Sequence, residues 1–180
     1  GTLDPFAEGV LIVAVGREHT KKLGQFLKLD KTYRATLKLG ATSDTYDLAG
    51  QFSQLSTSQV ESLKPTRKQI AGILKKFKGE IEQTPPAFSA IKIEGKKAYE
   101  LARRGVKLDL KPRRVKIYSL KILKYRWPYL EIKTKVSSGT YIRSLAHDFG
   151  QALGTGAYME KLIRTKVGRF ILINSLKIGV

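Results

Sequence analysis

The stretch KTYRATLKLG, residues 31–40, decides the fold. Tyr33, Ala35, Leu37 and Leu39 alternate with Thr32, Arg34, Thr36 and Lys38, the period of two that sends successive side chains to opposite faces of a strand. One face is apolar and the other wet, so this strand belongs to a sheet, and Gly40 closes it. The same alternation returns at Val115, Ile117 and Leu120 and again over residues 129–136. Trp127 and Pro128 stand between these two runs, which predicts an antiparallel strand pair. Upstream, GVLIVAVG (residues 9–16) is an unbroken apolar run bounded by glycines, and it predicts a central strand buried on both faces.

Helical periods fill the intervals. Thr66 and Gln69 form a capping-box pattern ahead of Ile70, Ile73, Leu74 and Phe77, predicting an amphipathic helix over residues 66–78 that ends at Gly79. Residues 140–153 follow a helical period through Ile142, Leu145, Ala146, Phe149 and Leu153. Gly154, Thr155 and Gly156 then separate this helix from a second one predicted at 157–163. Shorter helices are predicted at 19–29 and 96–104, the second with a basic face, and a last strand at 170–176. The pair Pro85-Pro86 interrupts regular structure before a short strand-like stretch that ends at Gly95. Separated helices among alternating strands predict an α+β fold, with a mixed, largely antiparallel sheet flanked by helices in one domain over residues 1–180.

Charge is the strongest compositional feature: 34 Lys and Arg against 15 Asp and Glu give a net charge of +19. A chain so basic repels itself unless a polyanion offsets it, which points to a nucleic-acid partner. There is no cysteine, which excludes disulfides, thiolate catalysis and cysteine–zinc sites, and only His19 and His147 are available to a histidine-based metal site. A metal site built from these residue types is not expected. The longest apolar run is too short to span a bilayer and no secretory leader is visible, so the expectation is a soluble cytoplasmic protein without membrane contact.

The first residues place a carboxylate at a turn. In GTLDPFAEG (residues 1–9), Pro5 pushes Asp4 out of the helical region and holds it in an extended or turn conformation. Taken alone, Asp4 reads as the cap of a helical turn. Asp44 and Asp47 in ATSDTYDLAG (residues 41–50) read as Asx-turns that order a loop.

Seven segments in order give Asp4 a chemical reading. They are GTLDP (1–5), GREHTK (16–21), Lys31-Thr32-Tyr33, a T-x-D-T-x-D-x-x-G loop (42–50), PPAFSAIKIEGKKAYELARRG (85–105), SSGTYIRSLAHDFG (137–150) and LIRTKVGRF (162–170). Together they resemble the catalytic domain of TruB-type tRNA pseudouridine synthases, and the 85–105 segment is especially similar to bacterial members. The resemblance implies Asp4 as catalytic carboxylate, Arg143 as its partner, Tyr33 stacked on the target base, Leu162 packed beneath the catalytic loop and Tyr141 near the site. It also implies substrate contacts from Lys21, Lys92, Arg103 and Arg104. The implied reaction isomerises one T-loop uridine of tRNA, position 55, by breaking its N-glycosidic bond, turning the uracil and joining carbon to the same ribose, and the resemblance implies no cofactor or metal.

These roles agree with the chemistry of the residue types. A guanidinium fixes the direction of a carboxylate through a planar fork, and an aromatic face replaces stacking that a flipped base has lost. Lys96, Lys97, Arg103, Arg104, Arg113 and Arg114 form the densest basic region, expected along the RNA backbone. Members of the family carry an upstream segment with a first strand, and often a C-terminal PUA domain. The expectation is therefore a catalytic domain that begins inside its own loop, lacks that strand and that domain, and is monomeric when complete. A noncatalytic protein that binds or refolds tRNA with the same basic surface is the competing reading. Guide-dependent relatives are a second alternative, and the bacterial-type 85–105 segment speaks against them.

Overall fold

The computed structural model describes residues 2–54, 57–93 and 95–178. Gly1 of the GTLDP stretch and Glu94 of the 85–105 stretch lie outside the described residues. In chain order the elements are β1 (Glu8–Gly9), α1 (Arg17–Thr20), α2 (Gly24–Leu27), β2 (Lys31–Leu39), β3 (Ala41–Ser43), β4 (Phe52–Gln54), α3 (Thr57–Ser62) and α4 (Arg67–Lys76). They continue with β5 (Gly79–Gln83), β6 (Lys92–Ile93), β7 (Lys96–Lys97), α5 (Ala98–Arg103), β8 (Arg113–Arg126), β9 (Tyr129–Val136), α6 (Ile142–Leu153), β10 (Ala157–Val167) and β11 (Phe170–Ile171). A 3-10 turn, Leu172–Asn174, follows.

Among the described residues, one sheet runs in the order β1-β10-β2-β9-β8-β5, with β11 paired to β10. Only the β1–β10 pair in it is parallel, so the sheet is mixed and mostly antiparallel, as the alternating runs predict. The centre is β2, held between β10 and β9. Tyr33, Ala35, Leu37 and Leu39 face inward, while Arg34 on the other face is exposed and pairs with Glu131 across the strand. The capping box of α4 is present, with the Gln69 N–H donating to the Thr66 hydroxyl and the Thr66 N–H donating to the Gln69 side chain. Ile70 and Leu74 of α4 join Leu145, Ala146 and Phe149 of α6 on the inner face of the sheet. Burying a side chain such as Leu145 or Phe149 contributes about 1.5–3 kcal/mol. A Cβ on Gly150 would overlap the backbone of Gly156 and Ala157, so glycine there is what lets α6 lie against the start of β10.

Several elements differ from expectation. Residues 9–16 are not a central strand: β1 ends at Gly9, and Leu11, Val13 and Val15 are exposed. Gly9 has φ of 114° and no room for a Cβ against the Arg164 backbone, so the chain turns off the sheet there. An apolar run alone does not distinguish a strand from an apolar segment lying along a surface. The predicted helix at 157–163 is the first part of β10. Register shifts between Met159 and Lys161 and between Arg164 and Lys166 break its period of two, which removes the alternation that marks a strand. Residues 19–29 form parts of two single turns, α1 and α2, rather than one helix. β5 precedes the proline pair, α5 begins at Ala98 after the β6–β7 ribbon, and the strand expected at 170–176 stops at Ile171.

Candidate active site

Asp4 opens a turn in which its carbonyl accepts from the Ala7 N–H at 2.9 Å, with Pro5 in the following position. The carboxylate is directed at Arg143, at the start of α6. Arg143 is held there because the buried Gln83 amide grips the residue before the helix twice: the Tyr141 N–H donates to Gln83 Oε1 at 2.8 Å, and Gln83 Nε2 donates to the Tyr141 carbonyl at 3.0 Å. Ser144 adds a bond to the Thr84 carbonyl at 2.9 Å. The N-terminus of α6 is thus fastened to the end of β5.

The Arg143 guanidinium is buried and spends its whole donor set. Nε donates to Asp4 Oδ2 at 3.1 Å and Nη2 to Asp4 Oδ1 at 3.0 Å, a bidentate fork. Nη2 also reaches the Phe88 carbonyl at 3.0 Å, and Nη1 donates to the Thr45 carbonyl at 2.9 Å and Asp47 Oδ2 at 3.0 Å. These bonds account for all five N–H groups of an arginine. The two carboxylates differ: the Asp47 side chain is 6% exposed and the Asp4 side chain 32%. One balances the buried cation, and the other keeps an open face.

Asp47 does more than order a loop. Its Oδ1 accepts from the Thr45 hydroxyl at 2.6 Å and from the Ala49 N–H at 2.9 Å, which is the expected Asx role, while Oδ2 takes Arg143. Asp44 shows the former role, accepting from the Gln51 N–H at 2.8 Å. Between them Tyr46 has φ of 64°, a strained value for a non-glycine residue. Its ring stacks on His147 with centroids 4.0 Å apart, and its carbonyl accepts from the Met159 N–H at 2.8 Å. His147 lies one helical turn beyond Arg143, and burial lowers its pKa.

Tyr33 is 8% exposed and stands opposite Arg164 in the β2–β10 register. Burial raises its phenol pKa, Arg164 works against that, and the Asp4 charge adds to the rise, which places Asp4 and Arg164 both near this ring. Leu162 is buried in the core cluster against which Phe6 and Ala7 of the Asp4 loop also pack. The structure therefore brings together Asp4, Arg143, Tyr33, Leu162 and the backbone of Tyr141. Lys21, Lys92, Arg103 and Arg104 are exposed and lie on other elements. Lys21 pairs with Glu18 at 3.3 Å, Lys92 opposes Lys97 in the β6–β7 ribbon, and Arg103 sits over the Tyr99 ring. Sequence reasoning undervalued Asp47 and did not single out Phe88 or Gln83. For Asp47 the signal was present in the T-x-D-T-x-D-x-x-G spacing.

Comparison with known proteins identifies the family. The family model for the N-terminal domain of TruB family pseudouridylate synthases matches residues 1–142, and that for the C-terminal domain of tRNA pseudouridylate synthase B matches residues 143–178. The chain is 47% identical over 98% of its length to tRNA pseudouridine synthase B of Protochlamydia amoebophila, and 43% identical over 99% to that of Clostridium tetani. It spans 65% and 60% of the lengths of these relatives. Among solved structures, a chain of a Cbf5-Nop10-Gar1 complex superposes with a TM-score of 0.69 at 31% identity, covering 95% of this chain and 40% of that one. A chain of an H/ACA RNP bound to a substrate RNA containing 2'-deoxyuridine gives 0.54 at 25% identity, covering 84% of this chain and 32% of that one. With the motif order, the sheet and the Asp4–Arg143 fork in place, the chain belongs to the TruB family of pseudouridylate synthases.

Proposed function

We propose that this protein is an isomerase that converts a uridine of tRNA to pseudouridine, with the T-loop uridine at position 55 as its target and the T-arm as the RNA element it grips. The observation that supports this most is the division of labour around Arg143, in which Asp47 balances the buried cation and Asp4 keeps a third of its side chain open.

Such a carboxylate is oriented for attack on, or stabilisation of, the electron-deficient C1′ of ribose once the N-glycosidic bond breaks. The uracil then turns and C5 bonds to C1′. One proton leaves C5 and one arrives at N1, so atoms balance without an added reactant. Tyr33 faces the flipped base, and its buried phenol stays protonated through neutral pH because burial raises its pKa. Leu162 supports the loop from below. The exposed cations Lys21, Lys92, Arg103 and Arg104 approach phosphates, a contact that suits irregular RNA. Cytoplasmic residence follows from a tRNA substrate, and no helix among the described residues is long and apolar enough to cross a membrane.

The test is incubation with an unmodified tRNA transcript, followed by mapping of pseudouridine. Product at position 55 supports the proposal. Product elsewhere refutes the position, and RNA binding without product favours the noncatalytic reading.

A further inference from the structure

We infer that Arg164 is a positioning residue, which fastens the two flanks of the Asp4 loop and the Tyr33 ring to a single guanidinium on β10. The inference rests on the proposed isomerase reading.

Arg164 meets the loop through both its backbone and its side chain. Its carbonyl accepts from the Val10 N–H at 2.8 Å, and its Nε donates to the Val10 carbonyl at 2.7 Å. Its Nη1 donates to the Thr2 carbonyl at 3.3 Å. Thr2 precedes Asp4 and Val10 follows it, so one planar group holds the loop on both sides of the carboxylate. On the neighbouring strand Tyr33 is the register partner of Arg164, and the guanidinium engages its phenol, opposing the rise that burial imposes. Asp4 and Tyr33 come from segments far apart in the chain. Arg164 is a shared fastening for both.

A cation is an expensive way to fill this position. Arg164 is 3% exposed, and a buried charge costs free energy that carbonyl acceptors only partly offset. Lys31 is also buried nearby, and its pKa is pushed down first by burial and then by the Arg164 charge. A methionine of similar reach would fill the space without that repulsion. Placing a fork here makes physical sense when direction is needed: it can hold two carbonyls and a phenol in fixed geometry, and small misplacements of reacting groups cost large factors in rate.

The test compares the parent chain with Arg164→Met and Arg164→Lys in urea unfolding, tRNA affinity, single-turnover pseudouridine formation from pH 6 to 9, and the NMR titration of the Tyr33 ring, assigned by Tyr33→Phe. For Arg164→Met we expect a lower unfolding midpoint with the fold retained, unchanged tRNA affinity, a rate roughly tenfold to a hundredfold lower, and a Tyr33 titration moved to higher pH. Arg164→Lys, which keeps the charge but not the fork, should recover only part of the rate. A parent-like rate in Arg164→Met overturns the inference, and so does a loss in which stability, affinity and rate fall together in both variants. If the parent chain makes no pseudouridine, the isomerase reading fails by itself. The fastening is then judged by the Tyr33 titration, which supports it if moved in Arg164→Met and refutes it if unmoved.

Discussion

Replacing Asp47 by asparagine should damage both stability and chemistry, whereas the same change at Asp4, whose side chain is a third open to solvent, should damage chemistry far more than stability. Asparagine has one acceptor oxygen, and Asp47 uses two: Oδ1 serves the Thr45 hydroxyl and the Ala49 N–H, and Oδ2 serves Arg143. Whichever way the amide is turned, its NH2 group meets a donor, either the Ala49 N–H or Arg143 Nη1. At least one bond to a charged group is lost, worth about 1.5–3 kcal/mol. Because both side chains are almost fully enclosed, solvent cannot repair the loss. With a urea dependence of about 2 kcal/mol/M, the unfolding midpoint should fall by roughly 1 M. The released Nη1 loosens the guanidinium that directs Asp4, and single-turnover product formation should drop about tenfold to a hundredfold, with tRNA affinity unchanged. Asp4→Asn leaves the Asp47 pair intact and solvent reaches its side chain, so its midpoint should fall by less than that of Asp47→Asn while isomerisation stops. Urea denaturation followed by fluorescence of the single tryptophan, together with pseudouridine mapping, reads both. An Asp47→Asn chain with the parent midpoint and rate would refute the reasoning, as would product from Asp4→Asn.

Arg143→Lys supplies three donors where five are used, so it should lose both stability and turnover; near-normal turnover would show that the fork is unnecessary. RNA binding should weaken with salt at a log–log slope of roughly −0.7 per phosphate contact for single strands, and exchanging Arg103, Arg104, Arg113 and Arg114 for glutamine should shallow that slope. An unaltered slope moves the RNA path elsewhere. Burial lowers the His147 pKa from 6.5, so its contribution to stability is present above that value and is lost as pH falls through the folded one. Asp148, whose carboxyl burial raises from 3.8, acts in the opposite sense over a more acidic window. The parent chain should therefore lose stability between pH 7 and 5 faster than His147→Phe, and parallel curves would contradict this.

The parts of the fold legible in the sequence are those whose pattern is local. The alternation of β2, β8 and β9, the capping box of α4 and the apolar stripe of α6 each follow from neighbours within a few residues. β10 was hidden because its two register shifts erase a period of two, and residues 10–15 misled because an apolar run carries no mark of whether it is paired. At the site, Asp4 and Arg143 were legible through motif order. Asp44 and Asp47 are indistinguishable by local chemistry, since both accept backbone N–H groups. Only the arrival of Arg143, 96 residues further along, separates them.

The complete use of the Arg143 donors has a consequence for ligand design. A guanidinium with no hydrogen left to give offers nothing to an incoming anion, so the charge this ion pair turns toward a visitor is the open side of Asp4. On the proposed reading the molecule carries two opposite instructions: a net charge of +19 that would draw in phosphate, and a small anionic aperture at its focus. An inhibitor that obeys both would be a nucleoside analogue with a protonated ring nitrogen at the sugar, flanked on either side by phosphodiesters. A negatively charged sugar mimic would be drawn to the surface and refused at the centre.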